Sequence, residues 1–346
     1  MQIYEDGNVI YGAFGQNEKE KETEHEETEQ KATLGELVED WNTNVNYLRN
    51  TQTTWRFTSN IQKHVFSFFK KDFKLEDMTS KKIMEYMTFL KKEKRFSPNT
   101  INKHRSHLVT LFEYATVNED VYHLLRNPVR KVKPLRFQPY THHIYQQDEA
   151  REILKELKAS ENPSLEVAVS LALLCGLRRE EVCGLRWNNV DLEQRIITVC
   201  EVRTTAGKEI VDMKHTKNNT VRQVGIPNAL YDTLLRLKKA QKKDQKELGA
   251  KYENLGFVLS EKDGTPWHPN NITKRWARFI DVTGFRYIRY HDLRHTNLSL
   301  LMSKMSAIDV AKLGGHKKVS TTTNIYGHSF NNVVQQGIKT INDLLK

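Results

Sequence analysis

The sequence predicts a multidomain, mainly α-helical chain: an all-α module, then a mixed α+β module with a small antiparallel sheet. Three observations predict it. Apolar residues recur at helical spacing from about residue 33 to 126. Short β-branched runs bounded by turn residues are confined to 195–226, and the helical period returns after Pro227. A chain of 346 residues also exceeds one ordinary domain of about 100–200 residues. The expected divisions are an N-terminal extension and acidic linker over 1–32, the helical module over 33–128, a basic interdomain linker over 129–144 and the mixed module over 145–346.

In chain order, Ile3 to Phe14 suits a short hairpin around Asp6-Gly7, and Glu18 to Lys31 reads as a solvated helix or linker. Leu34, Leu37, Val38, Trp41 and Leu48 mark a first helix. Phe57, Ile61, His64, Val65, Phe68 and Phe69 share one face of a second over Thr54 to Phe69. Thr79-Ser80 caps a third, with Ile83, Met84, Tyr86, Met87 and Leu90 inward. Ser97-Pro98 places an N-cap before a proline at the first helical position, and Ile101, His104, Leu108, Leu111 and Phe112 follow inward. Asn127-Pro128 stops the helices. Arg130 to Tyr140, with Pro134 and Pro139 and no apolar period, reads as an extended basic linker.

The second module opens near Tyr145 with a helix from Gln146-Gln147-Asp148 that carries Ile153 and Leu154. An apolar helix over Ser164 to Cys175 and a short one over Arg179 to Trp187 follow. Arg195 to Cys200 and Glu209 to Met213 suit strands joined across Thr204 to Lys208, with Arg222 to Ile226 as a third. Helices are expected at Leu230 to Leu237, Asn271 to Val282, His291 to Met302 and Asn332 to Leu345.

Bulk properties narrow the function. No apolar run approaches the ~18 residues of a membrane span, so no membrane partner is expected. The start, Met1-Gln2-Ile3-Tyr4-Glu5-Asp6, has no basic segment before an apolar core, so no signal peptide is expected and the location is read as cytoplasmic. Cys175, Cys183 and Cys200 lack paired-ligand spacing and read as reduced thiols. The net charge of +11 is distributed as −6 over 1–31, +8 over 32–140 and +9 over 141–346. Two basic blocks behind an acidic leader suit a polyanion.

The chemistry concentrates near the C-terminus. Tyr326 lies ten positions after His316, and His316 lies 22 after Arg294 in His291-Asp292-Leu293-Arg294. Cations upstream of one tyrosine suit a phenol that attacks a phosphodiester, because the pentacoordinate phosphorus carries charge that donors must hold. Gly176-Leu177-Arg178 puts a cation at the start of a helix, with Glu181 one turn on to orient it. The stretch from Lys214 through Lys217 to Arg222 puts a lysine at a hairpin tip. Singly, each residue reads as a packing or surface group; together they read as a site. His142-His143 have no such company and receive no role.

These motifs resemble the tyrosine recombinase family, the phage and transposon integrases. That family has an arginine in a Gly-Leu-Arg turn, a hairpin lysine, a His-x-x-Arg motif, a second histidine after Leu-Gly and a tyrosine ten residues later. All six elements occur here in order, and the resemblance covers about 33–346. It implies a helical core-binding domain over 33–128 and a catalytic domain over 145–346. It also implies that Arg178, Arg294 and His316 hold the scissile phosphate. His291 would accept or position a proton, Lys217 would protonate the leaving 5′-oxygen, and Tyr326 would be the nucleophile of a 3′-phosphotyrosyl intermediate. Lys217 is chosen over Lys214 and Lys208 because Arg222 and the following apolar strand set its register. Leu313-Gly314-Gly315-His316 departs from the family's Leu-Gly-His, with the leucine one residue early.

The resemblance implies a site-specific recombinase acting on double-stranded recombination sites through a Holliday junction, in integration or excision of a mobile element. A homotetramer on DNA and accessory DNA-bending or directionality proteins follow as expected partners, and no cofactor or metal is expected. Lys94, Arg95, Lys103, Arg105, Arg130, Lys131 and Lys133 are candidate contacts to the phosphate backbone. The C-terminal helix could pack on its own domain or on a neighbouring subunit. Three rival readings are a type IB topoisomerase, a DNA-binding protein without catalysis, and a zinc hydrolase using His291 and His295 at i and i+4 with His316 or His328 as third ligand.

Overall fold

The computed structural model describes residues 32–45, 51–138, 140, 142–213, 221–315 and 319. Two compact units divide the chain between Pro139 and Tyr140.

The first unit is helical. Its described helices are α1 (Leu34–Asn44), α2 (Thr51–Asn60), α3 (Phe66–Phe69), α4 (Ser80–Lys92), α5 (Pro98–Val117) and α6 (Glu119–Tyr122). Thr33 and Glu36 start α1 with a reciprocal capping box, Thr33 N–H donating to Glu36 at 2.7 Å and Glu36 N–H to the Thr33 hydroxyl at 3.3 Å. A π-turn at Ile61–Val65 joins α2 to α3. Its cause is legible in the buried residues Phe57, Ile61, Val65 and Phe69, which repeat every fourth position. At 3.6 residues per turn such a row drifts about 40° per step, and one wider turn brings it back to the core. Tyr114 and Tyr122 both donate to the Asp40 carboxylate, at 2.8 and 2.6 Å, and tie α5 and α6 to α1.

Two expectations need correction here. Met84 is 51% exposed rather than inward, and Ile83, Tyr86, Met87 and Leu90 alone carry the buried face of α4. The segment read as an extended linker begins as a 3-10 turn, Pro128–Lys131, with Val129 and Val132 in the helical core. Asn102 fastens it further, exchanging hydrogen bonds of 2.8 Å with the backbone of Leu135.

The second unit comprises α7 (Gln147–Ala159), α8 (Pro163–Cys175), α9 (Arg179–Gly184), β1 (Val190–Asp191), β2 (Ile196–Val199), β3 (Val202–Ala206), β4 (Glu209–Met213), β5 (Arg222–Gly225), α10 (Asn228–Leu248), α11 (Pro269–Thr283), α12 (Tyr290–Met302) and α13 (Ala307–Gly314). Helix α8, buried along almost its whole length, is the central post, and α7, α10, α11 and α12 pack on it. Tyr290 donates to the Ala168 carbonyl at 2.5 Å and fixes the start of α12 against that post.

The strands form two antiparallel sheets, β1-β2-β5 and β3-β4. The expected hairpin therefore changes partners. Thr204 to Ala206 is strand, β4 pairs with β3 rather than with 195–200, and the turn falls at Gly207-Lys208. Strand β2 pairs instead with β5, Val199 opposite Arg222. The helix expected to reach Trp187 ends at Gly184, α10 runs to Leu248, and α13 had no counterpart in the sequence reading. The hairpin at 3–14, Leu48, the connection carrying Lys217, and 320–346 lie outside the described residues.

Candidate active site

The site grows from the end of α8. Gly176 takes a left-handed conformation, φ +66°, as the C-cap, and a Cβ there would stand 2.6 Å from the Asn297 side chain. That Asn297 donates to the Leu173 carbonyl at 3.0 Å, so α12 closes the end of α8. Leu177 is buried, and Arg178 becomes the N-cap of α9, its backbone N–H donating to Glu181 at 2.8 Å.

Glu181 is 1% exposed and gathers two guanidinium groups. Arg178 donates to its Oε1 at 2.8 Å. Arg222, at the start of β5, grips both carboxylate oxygens, at 2.9 and 2.6 Å. Burial alone would raise the Glu181 carboxyl. The Arg222 fork and then Arg178 outweigh it and hold the group at about 2.

Three arginines meet at the end of α13. Arg222 donates through Nε to the Leu313 carbonyl at 2.9 Å, Arg294 to the Gly314 carbonyl, and Arg178 to the Gly315 carbonyl at 3.0 Å. Three successive carbonyls at a helix C-terminus, unsatisfied within the helix and carrying its negative dipole end, thus receive one cation each. Arg294, 2% exposed, also donates to the Gly176 carbonyl and so ties the ends of α8 and α13 together.

This arrangement accounts for the extra glycine before His316. A Cβ on Gly314 would stand 3.3 Å from the Arg294 guanidinium. Gly315, at φ +63°, would bring one to 3.3 Å from Arg222 and 3.5 Å from Arg178. Two glycines let the helix end close against three guanidinium groups, and the leucine sits one residue early because Gly315 is an added C-cap.

His291 is exposed at the start of α12, one turn before Arg294. The protein packed around its ring, and then Arg294, lower its pKa below the ordinary histidine value. The direction favours the neutral ring, the form able to accept a proton. The structure therefore brings Arg178, Glu181 and Arg294 together and sets His291 on the same helix as Arg294. Lys217, His316 and Tyr326 lie outside the described residues; His316 follows Gly315 directly in sequence.

Sequence reasoning missed two features. Arg222 served there only to set a register, because a lone arginine opening a strand carries no signal of its partners. His142, given no role, stands beside Asp292 and His295 in a cluster of metal-binding residue types. Its Nδ1 lies 3.2 Å from Asp292, and its ring lies tilted against that of His295, centroids 3.7 Å apart. Arg289 already clasps both Asp292 oxygens at 3.0 Å, which places a fixed positive charge where a cation would bind. Burial and then His142 lower His295 to about 3, so that ring stays neutral.

Lys94, Arg95, Lys103, Lys131 and Lys133 are exposed on the helical unit. Arg130 is exposed but paired with Glu113 at 2.8 Å. Arg105, expected on the outer face, turns to the Val132 and Val129 carbonyls, at 2.6 and 3.4 Å, and holds the 129–132 turn in place. No described helix is long and apolar enough to cross a membrane.

Comparison with known proteins places the chain in a family and a fold. Residues 144–332 match the Phage integrase family, and residues 33–132 match the phage integrase SAM-like domain. The chain is similar to a tyrosine recombinase XerC-like protein of Caldanaerobacter subterraneus subsp. tengcongensis, 27% identical over 98% of this chain and 93% of the relative. Its fold resembles the Tn1549 transposon integrase in complex with transposon right end DNA, with a TM-score of 0.74 at 16% identity over 90% of this chain and 100% of that one. It also resembles the lambda integrase tetramer bound to a Holliday junction, with a TM-score of 0.62 at 17% identity over 86% and 79% of the two chains.

Proposed function

The chain belongs to the phage integrase family and is a tyrosine-type site-specific DNA recombinase, and from that premise we propose how its residues divide the work. Arg178, Arg294 and His316 hold the non-bridging oxygens of the scissile phosphate, a planar task that arginine forks suit better than lysine. The Tyr326 oxygen bonds to phosphorus as the bond to the 5′-oxygen breaks. The phenolic proton passes toward His291, and Lys217 protonates the departing 5′-oxygen. The products are a 3′-phosphotyrosyl ester and a free 5′-hydroxyl. A 5′-hydroxyl from a second duplex reverses the step and leads to a Holliday junction. The ester conserves the bond energy, so ATP has no role, and the arginines occupy the place that Mg²⁺ takes in other phosphoryl-transfer sites.

The observation that carries this reading is the meeting of Arg178 and Arg294, from elements more than a hundred residues apart, at the carbonyl end of the helix leading into His316. Lys94, Arg95, Lys103, Lys131 and Lys133 supply backbone contacts to the duplex, and Arg130 joins them once released from Glu113. Exchange between two duplexes needs four active sites, which supports a homotetramer on DNA like the lambda integrase assembly. The likeness to a transposon integrase supports integration or excision of a mobile element; accessory proteins that set direction and a cytoplasmic location belong to the proposal on the sequence reading alone.

A nicked duplex carrying the junction of the host element tests the reading. Incubation with EDTA and without ATP is expected to give a denaturation-stable protein–DNA adduct on that duplex and none on a scrambled one. On a closed circular plasmid, relaxation of supercoils without sequence preference would favour a topoisomerase. Stoichiometric zinc with chelator-sensitive activity would favour a zinc hydrolase.

A further inference from the structure

We propose that Arg222 is a positioning residue for strand cleavage: it locks Arg178 and the helix end before His316 into one arrangement that fits the scissile phosphate. This rests on the reading that Arg178 and His316 bind that phosphate.

All three nitrogens of the Arg222 guanidinium are engaged. Two grip the Glu181 carboxylate at 2.9 and 2.6 Å, and Nε donates to the Leu313 carbonyl at 2.9 Å. With every guanidinium nitrogen committed to Glu181 or Leu313, Arg222 acts inside the protein rather than on DNA. Through Glu181 it controls Arg178, which shares Oε1 and whose backbone N–H sits on Oε2. Through Leu313 it controls the last turn of α13, three residues before His316. Its backbone is fixed in the β1-β2-β5 sheet opposite Val199. Arg222 is thus the point where sheet, α9 and α13 are joined.

A purely stabilising role explains this poorly. A buried ion pair contributes little stability over an apolar replacement of similar volume, because desolvation offsets the attraction. A fork that fixes three acceptors at once supplies orientation instead. A displacement of about 1 Å in a clamp can cost roughly 100-fold in rate.

Arg222→Lys and Arg222→Met in the full chain test this. Lysine keeps the charge and loses the fork; methionine keeps much of the volume and loses the charge. Single-turnover adduct formation is expected to fall roughly 100-fold in both, with specific DNA binding within about threefold and melting of Arg222→Lys near wild type. A second substrate, tested beside the unmodified nicked duplex, carries sulfur in place of the scissile 5′-oxygen, a leaving group that needs no proton. It is expected to show the same loss, because the defect lies in the phosphate clamp. Rates within about threefold of wild type for a folded Arg222→Lys, or rescue by the sulfur substrate, would overturn the proposal; rescue would mean that Arg222 acts through Lys217 instead. Adduct formation by Tyr326→Phe would overturn the underlying reading instead, whatever the Arg222 variants do.

Discussion

Arg294→Ala is expected to lose DNA cleavage and a large part of the stability of the second unit. Its guanidinium is 2% exposed and bridges the carbonyls of Gly176 and Gly314, the ends of two helices. Alanine strands both carbonyls, and a buried polar group left without a partner costs about 1–3 kcal/mol. Loss of a preorganised donor at a transition state costs about 10²–10³ in rate. Arg294→Lys keeps a charge but cannot bridge both carbonyls, so it should recover stability in part and activity little. Thermal melting and single-turnover cleavage check this. An alanine variant cleaving within about tenfold of wild type would remove Arg294 from the phosphate clamp.

Glu181→Gln is expected to have the next largest effect. The carboxylate is the counter-charge for both Arg178 and Arg222, and its removal leaves two cations facing each other behind little solvent. Removing one partner of a buried ion pair costs about 3–5 kcal/mol. The pH dependence has a definite sign. The Glu181 carboxyl is held at about 2 against an ordinary 4.5. A depressed carboxyl contributes stability that is full above its unfolded pKa and is lost as pH falls through its folded pKa. The stability gap between wild type and Glu181→Gln should therefore be constant above about pH 5. It should narrow only between about pH 4.5 and 2, by on the order of 3 kcal/mol. Chemical denaturation across that range measures it. A gap that closes near pH 6 would show that the arginines do not hold Glu181 as described.

The sequence disclosed what depends on local pattern. Thr79 and Ser97 announced helix starts through their caps, and Gly176-Leu177-Arg178 announced a helix end followed by a placed cation. It misled where tertiary choice decides. A β-branched run can pair with either neighbour, so β2 was joined to β4 although it pairs with β5. Met84 fits the apolar period but lies on the solvent side of α4. Arg105 and Arg222 look alike in sequence as basic residues in polar surroundings, and both turn inward to backbone carbonyls. Such partners lie 27 and 91 residues away, where no local pattern can show them. The displaced leucine before His316 looked like a defect of the motif; three arginines on three successive carbonyls give it a physical reason.

In the proposed mechanism this arginine-lined helix end holds a phosphate for attack by Tyr326. The most direct measurement of that mechanism is the identity of the residue that becomes joined to DNA. The adduct trapped on a nicked duplex, digested and mapped, should carry its 3′-phosphate on Tyr326, and Tyr326→Phe should form no adduct while still binding the duplex. A 3′-phosphate found on another residue, or an adduct that persists in Tyr326→Phe, would contradict the account.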